Sequence, residues 1–137
     1  MSVPTALTPE RSGVYAVAAG AVDRTQAALS AAVWLDADLA RVQDKLILLQ
    51  TLGRATRFPG TFGDNWDALA DVLQDLSWCP ADAYVLHVAH AAFARQALGE
   101  EWRTFLEIVS ESAMYWKSRG KTFVALVEDA PELPQWT

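Results

Sequence analysis

The chain has 137 residues, 52% of them hydrophobic, which suits one compact domain around a single core and leaves no linker for a second. Its 17 Asp and Glu against 11 Lys and Arg give a net charge of −6, which disfavours nucleic acid and anionic membrane surfaces, both of which select for bases, and admits a cationic partner. No apolar run approaches the roughly 20 residues of a membrane span, the first residues lack a secretory signal, and the lone Cys79 excludes an intrachain disulfide or a Cys-based metal site.

A cytoplasmic protein is therefore expected, with Cys79 acting as a small buried hydrophobe. In chain order, residues 1–12 read as a flexible arm, with Pro4 and Pro9 and few large apolar groups. Gly13 to Val17 reads as a short strand, and the Ala-rich stretch from Val22 to Ala31 as a helix; together residues 13–31 form an N-terminal strand and helix. Ala32 to Leu35 is predicted as a buried strand, with Asp36-Ala37-Asp38 turning the chain. From Gln43 to Arg57 apolar residues recur at helical spacing, with Asp44 at the positive end of the helix dipole and Arg54 and Arg57 at the negative end.

Phe58-Pro59-Gly60 breaks that helix. Asn65 is a good N-cap for a helix from Trp66 to Leu76. Tyr84 to Val88 is an apolar strand, a short helix around Phe93 follows, and Glu100 to Arg119 is a long helix stopped by Gly120. Phe123 to Val127 is the last strand, and Pro131 and Pro134 close a short tail. Helices alternating with near-continuous apolar strands predict an α/β domain with a mainly parallel sheet.

Charge is distributed unevenly along this plan. Between Arg57 and Arg95 there is no Lys or Arg, yet Asp64, Asp67, Asp71, Asp75 and Asp82 all fall there. At about 100° per residue, with Asp67 at zero, Asp71 falls near 40°, Asp75 near 80° and Asp64 near 60°. Trp66, Leu69, Val72, Leu73 and Leu76 cluster between about 140° and 260°. One face of the helix is thus an anchor and the other an acidic stripe. The helix dipole alone accounts for acids in the first turn, Asp64 and Asp67. It does not account for Asp71 and Asp75, which extend like-charge i, i+4 repulsion along the stripe.

The run Phe62-Gly63-Asp64-Asn65-Trp66-Asp67-Ala68-Leu69-Ala70-Asp71 resembles the signature of the barstar family of ribonuclease inhibitors. Asp75-Leu76-Ser77-Trp78, the strand Tyr84 to Val88, the long helix ending at Gly120 and the terminal strand are similar to that family too. The resemblance covers residues 32–127. It implies a barstar-like fold, a small, mainly parallel sheet flanked by helices, here with the N-terminal strand and helix added. It also implies a non-enzymatic, intracellular immunity protein that forms a 1:1 complex with a basic microbial ribonuclease and plugs its active site with the acidic helix. In the family, the aspartates matching Asp67 and Asp71 enter the ribonuclease active site, the second standing where substrate phosphate would be; a carboxylate on a rigid helix suits a site built from Arg, Lys and His. Asp64, Asp75 and Phe62 would border this surface, and counting back from Gly120 puts a further inhibitory glutamate at Glu107. Two positions depart from the family, Thr61 and Ala70, where it carries interface aromatics of the kind that dominate binding hot spots; Trp78 is the aromatic that could compensate. The alternative is a reuse of the fold as an interaction module with a non-nuclease partner.

Other chemistries find little support. His87, within an apolar strand, is expected to be a hydrogen-bonded core residue, which with His90 as the only other histidine leaves no zinc site. There is no nucleophile elbow, P-loop or dinucleotide fingerprint, and no cofactor is implied. An acid/base or Mg²⁺/Ca²⁺ role for Asp67 and Asp71 lacks a cleft that would separate their titrations. Trp34, Trp66, Trp102 and Trp116 are expected in the core.

Overall fold

The computed structural model describes residues 7–137. Besides two short 3₁₀ turns, nine strands and α-helices follow in order: β1 (Gly13–Ala16), α1 (Val22–Ala28), β2 (Val33–Asp38), α2 (Lys45–Ala55), α3 (Trp66–Leu73), β3 (Ala83–Ala89), α4 (Ala91–Leu98), α5 (Glu100–Ser118) and β4 (Thr122–Val127). The four strands form one sheet in the order β1-β4-β3-β2, and every pairing is parallel. The mixed α/β architecture with a flanked parallel sheet and an extra N-terminal strand and helix is the one the sequence predicts.

Connection handedness explains where the helices lie. The chain steps from β2 to β3 to β4 in one direction, carrying α2, α3 and α5 onto one face of the sheet. The step from β1 to β2 runs the opposite way across the sheet, so a right-handed crossover puts α1 on the other face. Side-chain alternation matches this division. Leu35 and Ala37, Tyr84, Leu86 and Val88, and Phe123, Ala125 and Val127 pack into the main core with the helices. Trp34, Val85, Val124 and Leu126 pack on the second face with Leu29 and Trp136. Residues alternate faces because a strand has period two; β3 and β4, central in the sheet, are covered on both faces and are apolar almost throughout.

Of the arm expected over residues 1–12, residues 1–6 lie outside the described residues. The rest is tied down. Pro9–Arg11 form a single 3₁₀ turn, and the buried Ser12 hydroxyl accepts the Phe123 N–H at 3.1 Å. The Arg11 guanidinium lies 3.8 Å from the Trp136 ring centre and donates to the Thr137 carbonyl at 2.7 Å. The tail in turn pairs Gln135 with Ala16 beside β1.

The turn predicted at Asp36–Asp38 is strand. Asp36 pairs with His87 and Asp38 with Ala89, while Ala37 between them is buried. The turn propensity of Asp loses to tertiary hydrogen bonds from histidines on the neighbouring chain segment. His87, buried in β3, meets Asp36 Oδ1 through Nδ1 at 2.9 Å and Glu128 Oε2 through Nε2 at 2.6 Å. His90 Nδ1 meets Asp38 Oδ1 at 2.8 Å. No group of His, Cys, Asp and Glu among the described residues could hold a metal ion, and no described helix is long and apolar enough to cross a membrane. The Cys79 thiol is free and half-buried, and burial raises its pKa.

The exposed pair His90–Asp38 makes stability depend on pH. Its hydrogen bond to Asp38, and then the charge of that carboxylate, raises the His90 pKa. The Ala40 N–H, and then His90, lowers that of Asp38. A raised folded value stabilises below the unfolded histidine value and is lost as pH rises through the folded one. A lowered carboxyl stabilises above its unfolded value and is lost as pH falls through the folded one. The pair therefore contributes most between about pH 4 and 6.5. His90→Asn keeps a residue tolerant of the left-handed backbone there, φ 56°, and removes the imidazole. Urea melts should show wild type gaining on the variant as pH falls from about 8.5 to about 6; a gap that does not change with pH would mean the pair does not form in solution.

Candidate functional site

The predicted acidic helix is present, but it is shorter than expected. α3 ends at Leu73, where the Gln74 N–H donates to the Ala70 carbonyl at 3.0 Å and the Asp75 N–H to the Val72 carbonyl at 3.2 Å, and Leu76, at φ 53°, carries the chain away. The reason lies in packing. Leu76 is fully buried, and the core takes it through that left-handed turn rather than through a further turn of helix. Only Asp67 and Asp71 are helical; Asp64 precedes the cap and Asp75 follows the end. α2 likewise stops at Ala55, short of Arg57, which takes φ 60° and donates to the Trp34 carbonyl at 2.9 Å.

α3 is held from both ends and from behind. Asn65 caps it, its Oδ1 accepting the Ala68 N–H at 2.7 Å. Leu69 and Leu73 are fully buried. The Trp116 indole on α5 donates to the Leu73 carbonyl at 2.8 Å, satisfying one of the orphan acceptors of the last turn. Trp34, Trp102 and Trp116 are core residues as predicted, whereas Trp66 is half-buried, with the Lys45 ammonium 5.2 Å from its ring centre.

The outer side of this clamp is acidic and unneutralised. Asp64, Asp67, Asp71 and Asp75 are all exposed, and none makes an ion pair among the described residues. Asp71 lies in the second half of the helix and Asp75 beyond its carbonyl end, where the dipole disfavours negative charge. Neither is there for helix stability.

Beside the helix stands a small aromatic ridge that the sequence reading missed in part. Phe58 packs edge-on against Phe62 at 6.3 Å and against Trp78 at 5.0 Å. The Trp78 indole donates to the Thr56 carbonyl at 2.8 Å, and Trp78 is half-buried. Phe62 lies against α2 because Gly53 has no side chain; a Cβ there would come within 3.1 Å of the ring. A glycine inside a predicted helix is the signal that could have pointed to this contact.

The ridge separates two grooves. On one side a groove of about 260 Å³ is lined by Thr61, Gly63, Ala68, Asp71 and Asp75, with Phe58, Phe62 and Val72 as its apolar wall. On the other, a wider groove of about 540 Å³ carries Arg54, Arg57 and Gln50, with Asp64 at its edge. Thr61 is exposed and Ala70 half-buried. The structure thus brings Asp71, Asp75, Thr61 and Phe62 around one groove, with Asp67 on the same helix. Glu107 lies on α5, exposed and opposite that helix's buried face, and among the described residues no hydrogen bond or ion pair joins it to α3.

Residues 33–128, well over half of the chain, match the model of the family described as Barstar (barnase inhibitor). The matched span runs from β2 to just past β4 and contains α3 and both grooves; β1 and α1 precede it. No curated protein matches the chain.

If Asn65 organises this surface, Asn65→Ala should cost about 0.5–2 kcal/mol of stability through the lost cap, and Asn65→Asp, which keeps an acceptor, should restore most of it. Urea melts of the three proteins decide; equal stability of the Ala variant would remove the cap from the account.

Proposed function

We propose, from the premise that the chain belongs to the barstar family of barnase inhibitors, that it binds a basic microbial ribonuclease one-to-one and blocks its active site with α3. The observation that carries this reading is a pair of carboxylates, Asp67 and Asp71, exposed and unpaired on a helix clamped from behind. An RNA-cleaving site must gather cations to hold phosphate. Carboxylates carried on a rigid helix meet those cations without further loss of backbone freedom. On this reading Asp67 and Asp71 enter the ribonuclease site, Asp64 and Asp75 widen the acidic field, and Phe62 and Trp78 act mainly by holding the ridge. Glu107 would meet the partner only if the interface extends onto α5.

The protein acts by occupancy, and nothing in the site calls for a reaction. In this role the protein gives immunity within the producing cell, against a nuclease that would otherwise destroy its RNA.

A second reading is favoured by Thr61 and Ala70. Both are small where the resemblance calls for aromatics, so the target would differ from the ribonuclease of the family, or would be no nuclease at all.

The test is a titration of wild type and Asp71→Ala into basic microbial ribonucleases, following RNA cleavage and complex size. Wild type should abolish cleavage at one equivalent. Asp71→Ala should lose on the order of 2 kcal/mol or more of affinity, because the partner's buried cations lose their counter-charge. Its folding stability should be unchanged or raised by a few tenths of a kcal/mol, since repulsion with Asp67 is relieved. A variant that unfolds while its folded fraction binds normally would make Asp71 structural and move the inhibitory face elsewhere.

A further inference from the structure

Across the aromatic ridge from α3, the wider groove gathers cations in a molecule that is otherwise short of them. It carries Arg54 and Arg57 with Gln50 beside them, Phe58 and Phe62 as its aromatic wall, and Asp64 at its edge. Neither guanidinium makes an ion pair among the described residues. The helix dipole accounts for Arg54, in the last turn of α2. It does not account for Arg57, which lies past the helix end at φ 60°, a backbone that Gly or Asn adopts with less strain. The bond from Arg57 to the Trp34 carbonyl uses part of its fork, pins the head in place and leaves the other donors free.

The absence of a side chain at Gly60 leaves one ring uncovered. A Cβ there would sit 3.4 Å from the tip of the Phe58 ring, so a longer side chain would lie over it. Gly60 does not take a positive φ, so its backbone does not call for glycine. What the glycine leaves is an aromatic surface next to two arginines.

The geometry points to a nucleoside monophosphate as the ligand of this groove. Its phosphate would lie between the Arg54 and Arg57 guanidiniums and its base against Phe58, with Asp64 accepting from a hydroxyl or ring N–H at the rim. A phosphate monoester carries about −1.5 to −2 charges near pH 7, which matches two guanidiniums where a carboxylate would match one. Planar forks also suit phosphate oxygens in pairs, and any base can stack on an aromatic ring. The volume, about 540 Å³, falls within the roughly 300–1,000 Å³ of small-molecule sites. A longer polynucleotide crossing the ridge would bring its phosphates onto Asp71 and Asp75; a mononucleotide stays on the basic side.

This goes beyond the reading of α3 and does not rest on it, because the cations come from α2 and the loop after it. The test is a titration of the ¹⁵N-labelled full-length chain with guanosine monophosphate, guanosine and inorganic phosphate, followed by amide, arginine side-chain and aromatic NMR. Guanosine monophosphate should saturably shift the Gln50, Gly53 and Gly60 amides, the Arg54 and Arg57 Nε–H groups and the Phe58 ring. Inorganic phosphate should bind several-fold more weakly without moving that ring, and guanosine should give no saturable shift. Arg54→Gln, at an exposed position, should weaken the nucleotide several-fold while the spectrum remains that of a folded protein. Gly60→Leu should reduce the nucleotide to the affinity of inorganic phosphate. Nucleotide binding no tighter than that of guanosine or of phosphate, shifts that never saturate, or full affinity in Arg54→Gln would each overturn the assignment. None of these readouts involves a ribonuclease, so this inference and the reading of α3 stand or fall separately.

Discussion

The hydrogen bond from the Trp116 indole to the Leu73 carbonyl joins α5, the longest helix among the described residues, to the last turn of α3. With Leu69 and Leu73 buried beneath it, this contact fixes how α3 is rotated, and rotation decides which side chains face water. A large rotation of α3 would turn one of its carboxylates toward the core, where an unpaired charge carries a desolvation penalty of several kcal/mol. The acids therefore depend on the clamp. The clamp in turn depends on the sheet, because α5 packs along β4 and β1, and the sheet is parallel because each return passes through a helix.

Much of this was legible in the sequence. Strands β3 and β4 are buried on both faces, so their runs of apolar residues are unbroken and easy to read. The Asn65 cap and the spacing of Leu69, Val72 and Leu73 define α3 from local chemistry alone. What the sequence hid was decided by contacts between distant segments. Asp36 and Asp38 looked like turn residues because their partners, His87 and His90, lie some fifty positions away. Leu76 fell on the apolar side of an idealised helix, but the core takes it through a left-handed turn. The ridge was hidden for a different reason: Phe58 stands in a segment that reads only as a helix breaker, and its packing on Trp78 closes a loop of twenty residues.

The charge pattern carries the same lesson about levels. Local rules account for Asp44 and Asp67, which sit where a helix dipole welcomes them. They do not account for Asp71 and Asp75, placed toward the carbonyl end. Where local preference is set aside without a compensating contact inside the molecule, the compensation is sought outside it. Two grooves of opposite character on either side of one ridge, Arg54 and Arg57 against Asp71 and Asp75, also give a partner a direction as well as a charge to match, which favours register over raw affinity.

The central claim is that α3 draws in a cationic partner through charges already in place. Stopped-flow association with an inhibited ribonuclease, across salt concentrations from well below to above physiological, tests it most directly. Steering by a fixed acidic field predicts an association rate that falls steeply as the screening length shrinks from about 30 Å at 0.01 M to about 8 Å at 0.15 M, with dissociation far less affected. An association rate indifferent to salt, with tight inhibition retained, would contradict the account and place the recognition in shape alone.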